Sequence, residues 1–278
     1  MAGNSLVKQH PKFSVAIQSD GYKNLINNTL GDPKRAQRFV AAISSAVATN
    51  PDLQACDAGT ILSSALLGES LNLSPSPQLG QYYLVPFNDN KNNRKVAQFQ
   101  LGYKGYIQLA IRSGQYKKIN VIAIKEGELQ NFDPLNEVID AILIEDEEQR
   151  ENAATVGYYA MFEYLNGFRK AMYWSRAKME AHALKYSKGY AAKKGYTFWE
   201  KDFDGMAFKT MLRQLISKWG IMSIEMQSAF ENDMAVVHEG GKVEFVDNLP
   251  DAEYAVADEK QPEQPAEPAE VESDDPLK

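Results

Sequence analysis

Between Thr155 and Trp174 the chain reads TVGYYAMFEYLNGFRKAMYW, and no other stretch constrains the fold as much. Two runs rich in aromatic residues flank Asn166-Gly167. That pair tolerates positive φ, so the spacing predicts a tight two-residue turn between antiparallel strands. A second pair of runs, QYYLVPF and KVAQFQL, is joined by the Asn-rich NDNKNN and predicts another hairpin. INVIAI and AILI read as further short strands. Consecutive hairpins build an antiparallel sheet, whose apolar face must then be covered by helices.

The helices are legible from their caps. Asp32 precedes Pro33 and the run KRAQRFVAAISSAVATN, where Phe39, Val40, Ile43 and Val47 recur at helical spacing. A second helix is expected from Ala58 to Leu71, with Ile61, Leu62, Ala65 and Leu66 inward. Ser175 caps a helix to Tyr186, Asp204 caps another to Trp219, and a helical stretch continues to Asn232. The fold class is therefore α+β, with hairpins of an antiparallel β-sheet flanked by helices. Residues 1–50 read as an N-terminal helical segment suited to oligomerisation, 51–247 as the core, and 248–278 as an acidic tail. The tail is rich in Pro, Glu, Ala and Asp and is expected to be disordered.

Net charge is −7, but it is unevenly spread. Residues 91–125 carry eight basic groups and no acidic one, and residues 153–220 carry twelve against five. The stretch between them, 126–152, carries ten acidic groups and one basic. Such asymmetry suits a polyanion site. It equally suits basic segments that pair with acidic ones inside one molecule.

Several chemistries lack a visible engine. There is no G-x-x-x-x-G-K-[ST] loop, no G-x-S-x-G elbow and no H-E-x-x-H helix. Three histidines and a lone Cys56 give no zinc cluster and no internal disulfide. No apolar run approaches the ~18 residues of a membrane span, and MAGNSLVKQHPKFS has no secretory character. A cytoplasmic protein that is not an enzyme is expected. Asp133, Glu137 and Asp140 are the carboxylates a magnesium-dependent nuclease would use, without a lysine at a suggestive spacing. Glu145, Asp146, Glu147 and Glu148 read as a solvated loop.

The basic blocks are interleaved with aromatics. If Gly102 opens a helix, Lys104, Gln108 and Arg112 form one polar stripe, while Tyr103, Ile107, Ala110 and Ile111 face the sheet. Gly102 and Gly105 at the helix start would suit a phosphate, or simply allow close packing. Lys117 and Lys118 follow. In the second block Arg169, Arg176, Lys178 and Lys185 alternate with Trp174, Tyr186, Tyr190, Tyr196, Phe198 and Trp199. Lys209 and Arg213 share a stripe on the helix to Trp219. Cations for phosphates and rings for bases are what single-stranded nucleic acid requires, stacking contributing ~1–3 kcal/mol per base. Tyr103 and Trp199 are DNA-contact candidates, and Tyr158, Tyr159 and Phe162 read as structural.

Taken in order, YYLVPF, QLGYKGYIQLAIRSGQY, GYYAMFEYLNGFRKAMYWS, AHALKYS and FDGMAFKTMLRQLISKWG resemble the RecT family of phage single-strand annealing proteins, from about Leu53 to Asp233. The resemblance implies a curved antiparallel sheet and ATP-independent binding of single-stranded DNA. It also implies annealing through a duplex intermediate, and oligomeric rings or filaments in the bacterial host cell. A partner 5′–3′ exonuclease would expose the strand, and the host single-strand binding protein is a further candidate partner. By motif, Lys104, Arg112, Lys209, Thr210 and Arg213 become groove candidates. No cofactor is implied, with magnesium entering only as an ion on which DNA binding could depend. Two alternatives stay open on the residues: a non-specific single-strand coat, and a magnesium-dependent nuclease.

Overall fold

The structure is a computed structural model that describes residues 12–89 and 92–245. Five helices lead: α1 (Phe13–Ala16), α2 (Asp20–Leu30), α3 (Pro33–Ala48), α4 (Pro51–Gln54) and α5 (Ala58–Ser70). The hairpin β1 (Tyr82–Asp89) and β2 (Arg94–Leu101) follows, then α6 (Tyr103–Arg112), β3 (Tyr116–Lys125), β4 (Leu129–Asp133), β5 (Val138–Ala141) and α7 (Glu147–Asn152). The second hairpin is β6 (Thr155–Tyr164) and β7 (Arg169–Ser175). It leads into α8 (Arg176–Tyr186), α9 (Lys188–Ala191), α10 (Phe198–Lys201), α11 (Phe203–Trp219) and α12 (Ile224–Asn232). Strands β8 (Ala235–Val237) and β9 (Val243–Glu244) close the described chain. The chain divides into a unit of residues 1–248 and a C-terminal segment, 249–278. The expected acidic tail lies outside the described residues.

The α+β reading holds, with the strands divided among three antiparallel sheets. Their orders are β1-β2-β8-β9, β3-β6-β7 and β4-β5. Both anticipated hairpins are present. At the second, only Gly167 has positive φ, at 86°. Gly167 N–H donates to Tyr164 O and Tyr164 N–H to Phe168 O. A two-residue I′ turn needs positive φ at both central positions, and Asn166 does not adopt it. The loop is therefore a three-residue turn with Gly167 as its left-handed residue.

The caps mostly fall where expected. Asp32 accepts from Lys34 N–H and Ser175 from Lys178 N–H, while Asp57, not named from the sequence, caps α5 by accepting from Thr60 N–H. Asp204 does not cap α11. Asp202 does, accepting from Gly205 N–H, because the Asp204 carboxylate instead takes the Tyr158 hydroxyl at 2.6 Å. AILI is not a strand beyond Ala141, and Ile142 and Leu143 are exposed.

One core cluster joins Phe13, Ile26, Phe39, Ile43 and Val47 to Ile61, Tyr82, Phe99 and Tyr106. The first helices thus share a core with the β1-β2 layer. The β3-β6-β7 sheet is covered on both faces. Tyr158, Ala160 and Phe162 face Met179 and Ala183 of α8 and Met211 and Leu215 of α11. Tyr159, Met161 and Ala171 face Leu129 and Ile139 of the β4-β5 hairpin.

Candidate nucleic-acid interface

Helix α6 is placed by its glycines. A Cβ at Gly102 would lie 2.1 Å from Gly80 O, and one at Gly105 2.1 Å from Gln81 O. Gly102 N–H donates to Gln81 O. The two glycines therefore let the chain at residues 80–81 cross the start of α6 in backbone contact. Close packing accounts for both. The helix rotates slightly from the expected orientation: Tyr106, Leu109 and Ala110 are buried, while Ile111 is exposed. The polar stripe survives, with Lys104, Gln108 and Arg112 all exposed.

Lys104 and Tyr83 both border Gly80. The Lys104 Cδ and the Tyr83 hydroxyl lie 3.3 and 3.0 Å from where a Cβ there would stand. The Tyr83 ring meets Phe198 of α10 at 5.5 Å, and Tyr103 meets Phe208 of α11 at 5.5 Å. All four rings are half-buried. Burial, reinforced by the Asp202 carboxylate and by Tyr103, pushes the Tyr83 phenol above its usual range. The row continues inward from Phe208 to Tyr158 and from there to Phe203, where the Arg176 guanidinium lies 3.7 Å from the ring centroid. Arg176 also donates to the Tyr158 hydroxyl and pairs with Asp204 at 3.6 Å.

A second cluster gathers Lys117, Lys118 and Arg169 around Glu163. Lys117 reaches that carboxylate at 2.6 Å. Its hydrogen bond, with the charges of Arg169 and Lys118, outweighs burial and holds Glu163 below the usual carboxylate range. Arg112 stands apart, donating to Asn72 O at the far end of α6. Lys178 and Lys185 are exposed on α8 and lie over the rings of Trp174 and Tyr186.

Four of the proposed contacts sit elsewhere than expected. The Lys209 ammonium is buried and donates to Asp233 at 2.8 Å. Arg213, half-buried, donates to the same carboxylate and to the Tyr106 hydroxyl, both at 3.1 Å. Asp233 also accepts from Leu101 N–H and the Tyr106 hydroxyl. A buried carboxylate with four donors is a satisfied network, and it ties β2, α6 and α11 to the end of α12. Thr210 is buried and donates to Met206 O within its own helix. Trp199 is buried against Phe203 and Tyr190, because α10 turns Trp199 inward and Phe198 toward Tyr83. Sequence reasoning did not single out Tyr83 or Phe208, which the row of ring contacts brings beside Lys104, Tyr103 and Phe198.

The carboxylates that a nuclease would need have structural duties. Asp133 accepts from Leu135 N–H and Asn136 N–H to shape the β4-β5 turn. Glu137 pairs with Lys170 and accepts from Ala171 N–H. Among the described residues no group of three His, Cys, Asp or Glu side chains is arranged to hold a metal. Lys170–Glu137 is the one ion pair joining 126–152 to either basic block among the described residues. Other cations of the blocks pair elsewhere: Lys117 with Glu163, Arg176 with Asp204, and Lys209 and Arg213 with Asp233.

The fold is α+β, with exposed cations set beside half-buried rings. The chain belongs to the RecT family, which it matches over residues 37–248. That match reaches beyond the Leu53–Asp233 span at both ends. The chain is 41% identical over 270 residues to "Uncharacterized protein YqaK" of Bacillus subtilis, covering 90% of this chain and 89% of that one. It is 31% identical over 202 residues to "Protein RecT" of Escherichia coli, covering 71% of each. Family membership makes this a DNA-binding protein of recombination by single-strand annealing.

Proposed function

We propose that the chain binds single-stranded DNA along the exposed cations of α6 and the start of β3, and anneals complementary strands without ATP. The observation that carries this reading is the juxtaposition of exposed Lys104 with the half-buried rings of Tyr83, Tyr103 and Phe198. Cations hold phosphates while base edges stay free for a second strand, so no sequence readout is needed. Base pairing supplies its own free energy, which accords with the lack of a phosphate-binding loop motif in the sequence. The protein acts as an oligomer on strands exposed by a 5′–3′ exonuclease, in keeping with its family.

The test is an annealing assay with two complementary oligonucleotides added in sequence, without ATP. We expect pairing at least tenfold faster than the uncatalysed rate. A chain that binds both strands without speeding their pairing is a coat protein. Cleavage of a labelled single strand with magnesium present would replace the reading by a nuclease.

A further inference from the structure

The β4-β5 hairpin and the segment after it present a surface that is both acidic and apolar. Leu135 at the tip is 91% exposed and Ile142 69%, with Val138 and Leu143 also open. Of the ten acidic groups in 126–152, Glu128 is buried and bound by Arg150 at 2.6 Å, and Glu137 is held by Lys170. Glu126, Asp140, Glu145, Glu147, Glu148 and Glu151 are exposed. An apolar surface rimmed by charge marks an interaction site.

Register fixes the direction in which this surface faces. Phe132 and Ile139 are paired and turn toward the β3-β6-β7 sheet, where Phe132 meets Tyr173 at 5.4 Å. By strand alternation, Val138 and Asp140 point away from it. The other face of that same sheet is covered by α8 and α11. There residues 175–201 hold seven basic and two acidic groups, with Leu184 and Tyr196 exposed among them. Acidic-apolar and basic-apolar surfaces thus occupy opposite sides of one sheet.

We infer that the acidic β4-β5 surface of one copy docks on the basic α8–α10 surface of a second copy. A two-fold contact through the hairpin would set carboxylates against carboxylates. The contact is therefore head-to-tail, and such contacts propagate into rings or filaments. DNA and the acidic C-terminal segment carry the wrong charge to cover the hairpin. The inference rests on the oligomeric part of the proposed function and supplies its surface.

Charge exchange tests it, using sedimentation velocity of the full chain at low salt without DNA. Asp140→Lys with Glu145→Lys forms one double variant, and Lys178→Glu with Lys188→Glu forms the other. Each alone should raise the dissociation constant of assembly at least tenfold, and an equimolar mixture should restore the parental size. Leu135→Asp, at a position too exposed to affect folding, should weaken assembly likewise. Thermal melts check that each variant is folded. Assembly of either double variant like the parent, a mixture that stays dissociated, or a parent that is monomeric would each overturn the inference. A monomeric parent that still speeds annealing removes only this interface. A parent that assembles but does not anneal removes only the functional reading.

Discussion

Lys104 and Lys209 show how little a cation's place in a motif says about its task. Both lie on helices of the same family signature, yet Lys104 is exposed and Lys209 is buried on Asp233. Removing Lys209 takes one charge-assisted donor from buried Asp233, which Arg213 still pairs, at a cost of about 1.5–3 kcal/mol. Lys209→Ala should therefore lower stability by about that much in chemical denaturation. Lys104→Ala, on an exposed position, should stay within about 0.5 kcal/mol of the parent. It should nevertheless weaken binding of a single-stranded oligonucleotide several-fold. Parental stability in Lys209→Ala, or unchanged affinity in Lys104→Ala, would reverse these two assignments. The two glycines flanking Tyr103 and Lys104 belong with Lys209. Their role is packing against Gly80 and Gln81, and no ligand is needed to explain them.

Helix α6 carries the same lesson at the scale of an element. Periodicity marked it as amphipathic and placed its start at Gly102, both as found. The choice of buried side differed by about one residue, because 3.6-residue periodicity in a ten-residue helix leaves two neighbouring apolar stripes nearly equivalent. Tyr106 decides between them, since its hydroxyl reaches Asp233 and its ring meets Phe230 at 4.9 Å. Leu109→Ala should cost about 2–5 kcal/mol of stability through the cavity it leaves. Ile111→Ser, on the exposed side, should leave the denaturation midpoint within about 0.5 kcal/mol of the parent. Comparable losses from both substitutions would mean that the helix is rotated from the orientation described.

For the whole molecule, an acidic net charge and affinity for a polyanion are compatible only if the charges stay segregated. Toward the acidic stretch 126–152 they do: one ion pair, Lys170–Glu137, links it to the basic blocks among the described residues. Binding of single-stranded DNA should therefore be steeply salt-dependent despite a pI near 5.2. The logarithm of affinity should fall with the logarithm of salt by ~0.7 per phosphate neutralised. A titration that stays flat from low to physiological ionic strength would show that the exposed cations do not track the phosphate backbone.

The sequence by itself determined the α+β class, both major hairpins, the helix caps at Asp32 and Ser175, and the family. Those features rest on local chemistry: strand alternation, turn residues, and side chains that accept from an amide two or three residues on. It did not determine which basic and aromatic residues meet solvent. Lys209 and Arg213 share their acceptor with Leu101 and Tyr106, more than a hundred residues away along the chain. Tyr83 joins Phe198 across a similar gap. The division of the acidic hairpin and the basic helices onto opposite faces of β3-β6-β7 is equally non-local. Burial and charge pairing depend on which elements come together, and only the packed tertiary structure decides that.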